Sequence, residues 1–226
     1  MQRLKFKHFK ENKDSFAYGM NLYKLSWIFI IGGIFGYIVE MMWAFAKNGY
    51  FESRQGIIHF TFIPVYAFGA LIVTLCLYKF QNARAIVIFL VSAIVGGAFE
   101  FICSLFQEHV LGTISWEYSE SAFNLQGRTN LFFSLMWGIL GLIFIRSTYP
   151  FFSRQIEKIP NKIGKPLTWV IMIFLCLDMA LSSCAVKRQS DRHKGIQAQN
   201  PFAVFLDEHY DDDYLKKIYP NMIIVK

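Results

Sequence analysis

Five apolar runs joined by short polar connections limit this chain more than any other feature of its sequence. They cover residues 25–46, 60–78, 85–106, 131–145 and 167–186. A hydrocarbon core about 30 Å thick is crossed by about 20 apolar residues of helix. The interior of a soluble domain can absorb one such run, but not five. Only 17% of the 226 residues are charged and 54% are hydrophobic, whereas soluble domains carry about 25% charged residues. Lipid leaves free backbone groups unsatisfied, so a spanning segment must be a helix or part of a closed barrel. The runs lack the alternation of a barrel strand. The sequence predicts an all-α polytopic transmembrane helical bundle of about five spans. Its divisions are a basic N-terminal tail over 1–24, a four-helix core over 25–150, a basic linker and fifth span over 151–186, and a polar tail over 187–226.

Trp27 and Trp43 stand near the two ends of the first run, where indoles favour the membrane interface. Lys and Arg are concentrated in the N-terminal tail (Arg3, Lys5, Lys7, Lys10, Lys13), the second connection (Lys79, Arg84) and the fourth (Arg146, Arg154, Lys158, Lys162, Lys165). The positive-inside rule then puts the N-terminus in the cytoplasm. Lys187, Arg188, Arg192 and Lys194 oppose this, since five crossings leave them outside. Membrane topology accounts for the net charge of +7, so nucleic acid is not the expected partner. The basic, polar first twenty residues do not form a cleaved signal peptide. Cys76, Cys103, Cys176 and Cys184 form no CxxC pair and read as apolar packing residues. The Leu181-Ser182-Ser183-Cys184 run has the form of a lipidation box, but it lies too deep in the chain to act as one. In the tail, Asn200-Pro201 reads as a helix start with Phe202, Phe205 and Leu206 on one face. Asp211, Asp212 and Asp213 charge the start of the next helix, which Pro220 ends.

The core carries an internal match. At an offset of 60, Gly32, Gly36 and Glu40 fall on Ser92, Gly96 and Glu100. Residues four apart share a helix face, and small residues at that spacing let helices approach closely in lipid. At an offset of 71, Gln55-Gly56 falls on Gln126-Gly127, His59 on Asn130, and Tyr66-Ala67 with Ala70 on Trp137-Gly138 with Gly141. The second outer connection is therefore eleven residues longer. A parallel two-helix repeat would place Glu40 and Glu100 at equal depth in the outer half of the bilayer.

A carboxylate within a span costs about 2.5–3.5 kcal/mol on insertion scales, so it faces a polar interior. Glu40, Glu100 and Asp178 are the three such groups in this sequence. Two readings stay open for the glutamates. They form a site for a proton, a cation or a polar substrate, with Arg54 or Arg128 dipping in from the outer loops, or they tie helices together. Two carboxylates across a repeat axis could share a proton. Asp178, near Ser182 and Ser183, reads as a tie. No HExxH, GxSxG, P-loop or dinucleotide turn is present. No cofactor and no metal site is expected.

These residues resemble the CmpB-like, ABC-transporter type IV family of bacterial membrane proteins. The resemblance rests on Gly36 and Glu40, on Pro64, Tyr66 and Gly69, and on Gly96 and Glu100. It continues through Trp116-Glu117-Tyr118-Ser119, Asn124, Gly127, Arg128 and Trp137-Gly138, and into the tail at Arg188, Arg192, Gly195, Asn200 and Tyr219-Pro220-Asn221-Met222. Glu117 departs from the aspartate more usual there. The resemblance implies a permease of the bacterial cytoplasmic membrane, with a partner membrane subunit or ATPase. It adds Trp116, Tyr118, Tyr66 and Asn124 to Glu40, Glu100 and Arg128 as candidate binding residues, with Gly36 and Gly96 as structural ones. The expected function is a transporter or permease-like subunit whose polar cavity opens outward. The alternative is a membrane scaffold or sensor with structural carboxylates. An intramembrane enzyme acting on lipid or cell-wall precursors stands third.

Overall fold

A computed structural model describes residues 12–225. Helix α1 spans Leu22–Asn48. The Asn21 side chain caps it by accepting from the Lys24 N–H, and Gly49, at φ +78°, closes it. The left-handed conformation of that cap favours glycine. Helix α2 spans Pro64–Leu77, with proline in its first turn, where a missing N–H costs nothing. Helix α3 spans Ala85–Phe106 and continues as a wide turn through Leu111. Helix α4 spans Leu131–Ile143, capped by Asn130. It passes through a second wide turn into α5, Tyr149–Glu157. Helix α6 spans Asn161–His193, about 50 Å at 1.5 Å per residue. Two short helices follow, α7 (Pro201–His209) and α8 (Asp212–Ile218).

Four helical stretches are long and apolar enough to cross a membrane: α1, α3 with its extension, α4 with α5, and α6. The second expected span is a shorter apolar helix, Pro64–Phe80. The chain entering it turns inward, burying Ile57, Ile58 and Phe62. The fourth span, short in the sequence reading, continues to Glu157. The basic linker consequently shrinks to residues 158–160, because Arg154, Lys162 and Lys165 lie on helices.

Two ends of the bundle are distinct. At one, residues 12–21 pack on the α5–α6 junction. The Asn12 N–H donates to Glu157 at 2.8 Å and the Phe16 N–H to Asn161 at 2.6 Å. Lys24, fully buried, pairs with Glu157 and bonds Ser153. Lys24 therefore belongs to a helix and not to a basic tail. Arg3, Lys5, Lys7 and Lys10 lie outside the described residues. At the other end, the tail packs on the outer connections. Strand β1 (Thr113–Ile114) pairs antiparallel with the last strand, Ile223–Ile224, and Ser53 donates to the Ile218 carbonyl at 3.0 Å. Residues 195–225 therefore sit at the end of the bundle opposite residues 12–21.

Helix α1 packs along α2, and α3 along α4, through small residues. An added Cβ at Gly36 would lie 2.3 Å from Tyr66, and one at Gly96 would lie 2.4 Å from Trp137. Gly32 faces Ala70, and Ser92 faces Gly141. These contacts fall on the positions that the offsets of 60 and 71 equate. Cys76, Cys176 and Cys184 are exposed and Cys103 is half-buried, so three of the four do not serve as interior packing residues.

Candidate functional site

Glu40 lies five turns along α1 from Leu22, one turn beyond Gly36, so the seam that brings α2 close also brings Tyr66 to it. The Tyr66 hydroxyl donates to Glu40 Oε1 at 2.7 Å. Glu100 occupies the matching place on α3 and is 7% exposed. Thr129 donates to its Oε2 at 2.8 Å and Tyr118 to its Oε1 at 3.2 Å, while the Trp137 indole lies beside it. Tyr118 stacks on Phe133 at 4.7 Å between centroids, and Tyr66 lies 5.9 Å from Trp137. Aromatic rings thus wall both carboxylates. Burial, then the Glu100 carboxylate and more weakly Glu40, hold the Tyr118 phenol well above its ordinary range. That phenol stays a donor, and both glutamates act on it.

The outer connection between α3 and α4 builds the lid of this site. Strands β2 (Asn124–Leu125) and β3 (Thr129–Asn130) pair across a tight turn in which Gln126 and Gly127 both take positive φ. A Cβ at Gly127 would come within 2.3 Å of the Glu117 carboxylate. The Trp116 indole donates to the Arg128 carbonyl at 2.9 Å, and Asn124 holds the turn through Ser119, Ser121 and Gly127. Hydrogen bonds from Ser119 keep the Glu117 carboxyl below the usual range. Trp116 and Asn124 therefore shape the lid, and Tyr118 and Thr129 are the lid residues that reach the glutamate.

Arg128 does not go to either glutamate in the spans. Its guanidinium pairs with Glu108 at 2.5 Å, donates to Ser104 at 3.3 Å and stands 5.9 Å from the centre of the Phe101 ring. The wide turn after α3 carries Glu108 up to the arginine, so the charge is met before it can reach Glu100. Arg54 likewise pairs locally with Glu52 at 2.6 Å. Among the described residues neither Glu40 nor Glu100 has an ion-pair partner.

Asp178 sits apart from this cluster and ties three segments. Its carboxylate accepts from the His59 N–H and lies 2.9 Å from His59 Nδ1. Ser182 donates to it at 3.4 Å and accepts from the Ile58 N–H at 2.9 Å. The Tyr210 hydroxyl stands 3.4 Å from His59 Nε2, which connects the tail to the inward-turning connection. Ser183 is exposed and bonds its own helix. The basic cluster of the tail is met by acids: Arg188 is bidentate on Asp207, and Arg192 spans Asp207 and Asp212. The Arg188 hydrogen bond holds the Asp207 carboxyl below its ordinary value.

Sequence reasoning missed Thr129, Glu108 and the buried Lys24–Glu157 pair. Thr129 carried one signal, its place directly before the α4 cap. Lys24 carried another, since it falls in the first turn of an apolar helix.

Four helical stretches long and apolar enough to cross a membrane define an integral membrane protein. The chain belongs to the family described as Putative ABC-transporter type IV, whose model matches residues 27–183, well over half of it. The match takes in both glutamates and the lid and stops before the tail. No curated relative and no solved structure matches the chain.

Proposed function

We propose that this chain is a permease-like membrane subunit in which Glu40 and Glu100 form one proton- or cation-exchanging site at the end of the bundle that carries the lid. One observation carries the reading. Glu40 accepts from the Tyr66 hydroxyl and Glu100 from the Tyr118 and Thr129 hydroxyls, and neither carboxylate has a basic partner among the described residues. A buried charge without a counter-charge is costly. Such a pair takes up a proton or draws a cation from solution. Tyr66, Tyr118 and Thr129 orient the oxygens, while Trp116 and Asn124 keep the lid in shape. We place the protein in the bacterial cytoplasmic membrane, with residues 12–21 facing the cytoplasm and residues 195–225 facing outward. Ion pairing of Arg188 and Arg192 with Asp207 and Asp212 fits that orientation, since it offsets the positive charge that would otherwise oppose it. Partner subunits, an ATPase among them, follow from the family alone.

The test is flux. In liposomes holding a pH-sensitive dye, the chain passes protons, alone or against an added monovalent cation, under an imposed potential. Glu40→Gln and Glu100→Gln each stop that flux while inserting in normal amount. Flux no greater than that of empty liposomes, or unchanged in both variants, overturns the reading. The second reading is a scaffold held together by carboxylate ties, favoured by the two donors on Glu100. In that case the same variants lower thermal stability and alter no flux.

A further inference from the structure

A cavity of about 440 Å³ opens between the last turns of α6, α8 and the strand that follows, within the range of small-molecule sites, about 300–1,000 Å³. It lies outside the segment shared with the family and away from the two glutamates. Gln189 of α6 lines it, is 5% exposed, and leaves its side-chain carbonyl oxygen without a hydrogen-bond partner. An unpaired buried acceptor is costly, so a donor brought by a ligand is rewarded there. His193 Nδ1 lies 3.0 Å from the Gln189 backbone carbonyl and 3.8 Å from Asp212 Oδ2. Asp213 and Lys216 of α8 face the same space. Among the described residues neither is in an ion pair. Asp212, also in the lining, already holds Arg192. Met222 and Ile224 supply an apolar wall. The cavity thus offers acceptors grouped against one cationic donor, with an apolar face beside them.

We propose that this cavity binds a small zwitterion of the α-amino-acid type with an apolar side chain. Its ammonium meets Gln189 and Asp213, its carboxylate meets Lys216, and its side chain lies on Met222 and Ile224. Ile224 of the apolar wall pairs with Thr113 at the start of the lid connection.

The experiment is equilibrium dialysis of the full chain in detergent with three probes of one shape: L-leucine, 3-methylbutylamine, which lacks the carboxylate, and 4-methylpentanoate, which lacks the amine. Leucine is expected to bind about tenfold or more tighter than either. Lys216→Ala lowers leucine affinity about tenfold and removes its advantage over the amine. Asp213→Asn weakens leucine and the amine and spares the acid. Lys217→Ala, on the same exposed helix but outside the lining, changes nothing. No leucine binding, leucine no tighter than the amine, or leucine binding indifferent to Lys216→Ala overturns the proposal.

Discussion

In the first hairpin, Gly32 and Gly36 of α1 meet Ala70 and Tyr66 of α2; in the second, Ser92 and Gly96 of α3 meet Gly141 and Trp137 of α4. These two contacts of each seam fall on positions equated by the offsets of 60 and 71, and each seam leads to a glutamate one turn further on. What lies above them differs. The second hairpin has a longer connection that folds back, so Tyr118 and Thr129 cover Glu100. The position matching Thr129 in the first hairpin is Ile58, which is buried and turned toward α6. Glu40 is left half-exposed with Tyr66 as its hydroxyl donor. Similar packing surfaces thus hold two carboxylates of unlike accessibility, and the connections above the seams make the difference.

The largest test of that comparison is steric. Gly36→Ala and Gly96→Ala each force a Cβ into an aromatic side chain on the facing helix, and overpacking of this kind costs about 1–3 kcal/mol. Thermal unfolding in detergent should show similar losses for the two. A silent Gly36→Ala would mean that the first seam is looser than the second.

Next come the hydroxyl donors. Thr129→Val takes a donor from the buried Glu100 and should cost about 1–2 kcal/mol. Tyr66→Phe takes one from the half-exposed Glu40, which water can replace, and should cost about 0.5–1 kcal/mol. Unfolding midpoints in the reverse order would break the claim that Glu100 is the covered member.

A smaller effect is expected at the lid arginine. Its pair with Glu108 is partly exposed, so a double-mutant cycle with Arg128→Ala and Glu108→Gln should give coupling of about 0.5–1 kcal/mol. The same cycle with Glu100→Gln should be additive. Coupling to Glu100 in place of Glu108 would restore the arginine to the glutamate site.

The smallest effect is a titration. Burial and the two glutamates raise the Tyr118 phenol in the folded state, so its contribution to stability is complete below the ordinary tyrosine value of about 10 and is lost as pH rises beyond it. Tyrosinate absorbance compared between wild type and Tyr118→Phe should differ only above the ordinary range. A difference developing at the ordinary value would mean that the lid does not exclude water from this phenol.

Much of this arrangement is legible in the sequence. Spacing of four put Gly36 and Glu40, and Gly96 and Glu100, on single helix faces, because helical periodicity is a local property. Apolar run length gave four of the five expected spans, because a bilayer has a fixed thickness, while the second run forms a shorter helix. The partner of Arg128 was not legible. Glu100 and Glu108 are both carboxylates within its chain neighbourhood, and only the wide turn at Gln107–Leu111 decides which one a long guanidinium arm meets.

The same division runs through the rest of the protein. The sequence by itself determined the helical bundle, its close-packed seams and the presence of carboxylates in line with them, since hydropathy and periodicity act over a few turns of one chain segment. Tertiary structure alone decided that Lys24 is buried against Glu157, that Asp178 holds the His59 segment, and that the tail rests on the connections opposite residues 12–21. Each of these joins residues more than a hundred positions apart. A charge or a hydroxyl carries no record of its partner in its own neighbourhood; the fold assigns the partner by bringing one group within hydrogen-bonding distance and leaving the others out of reach.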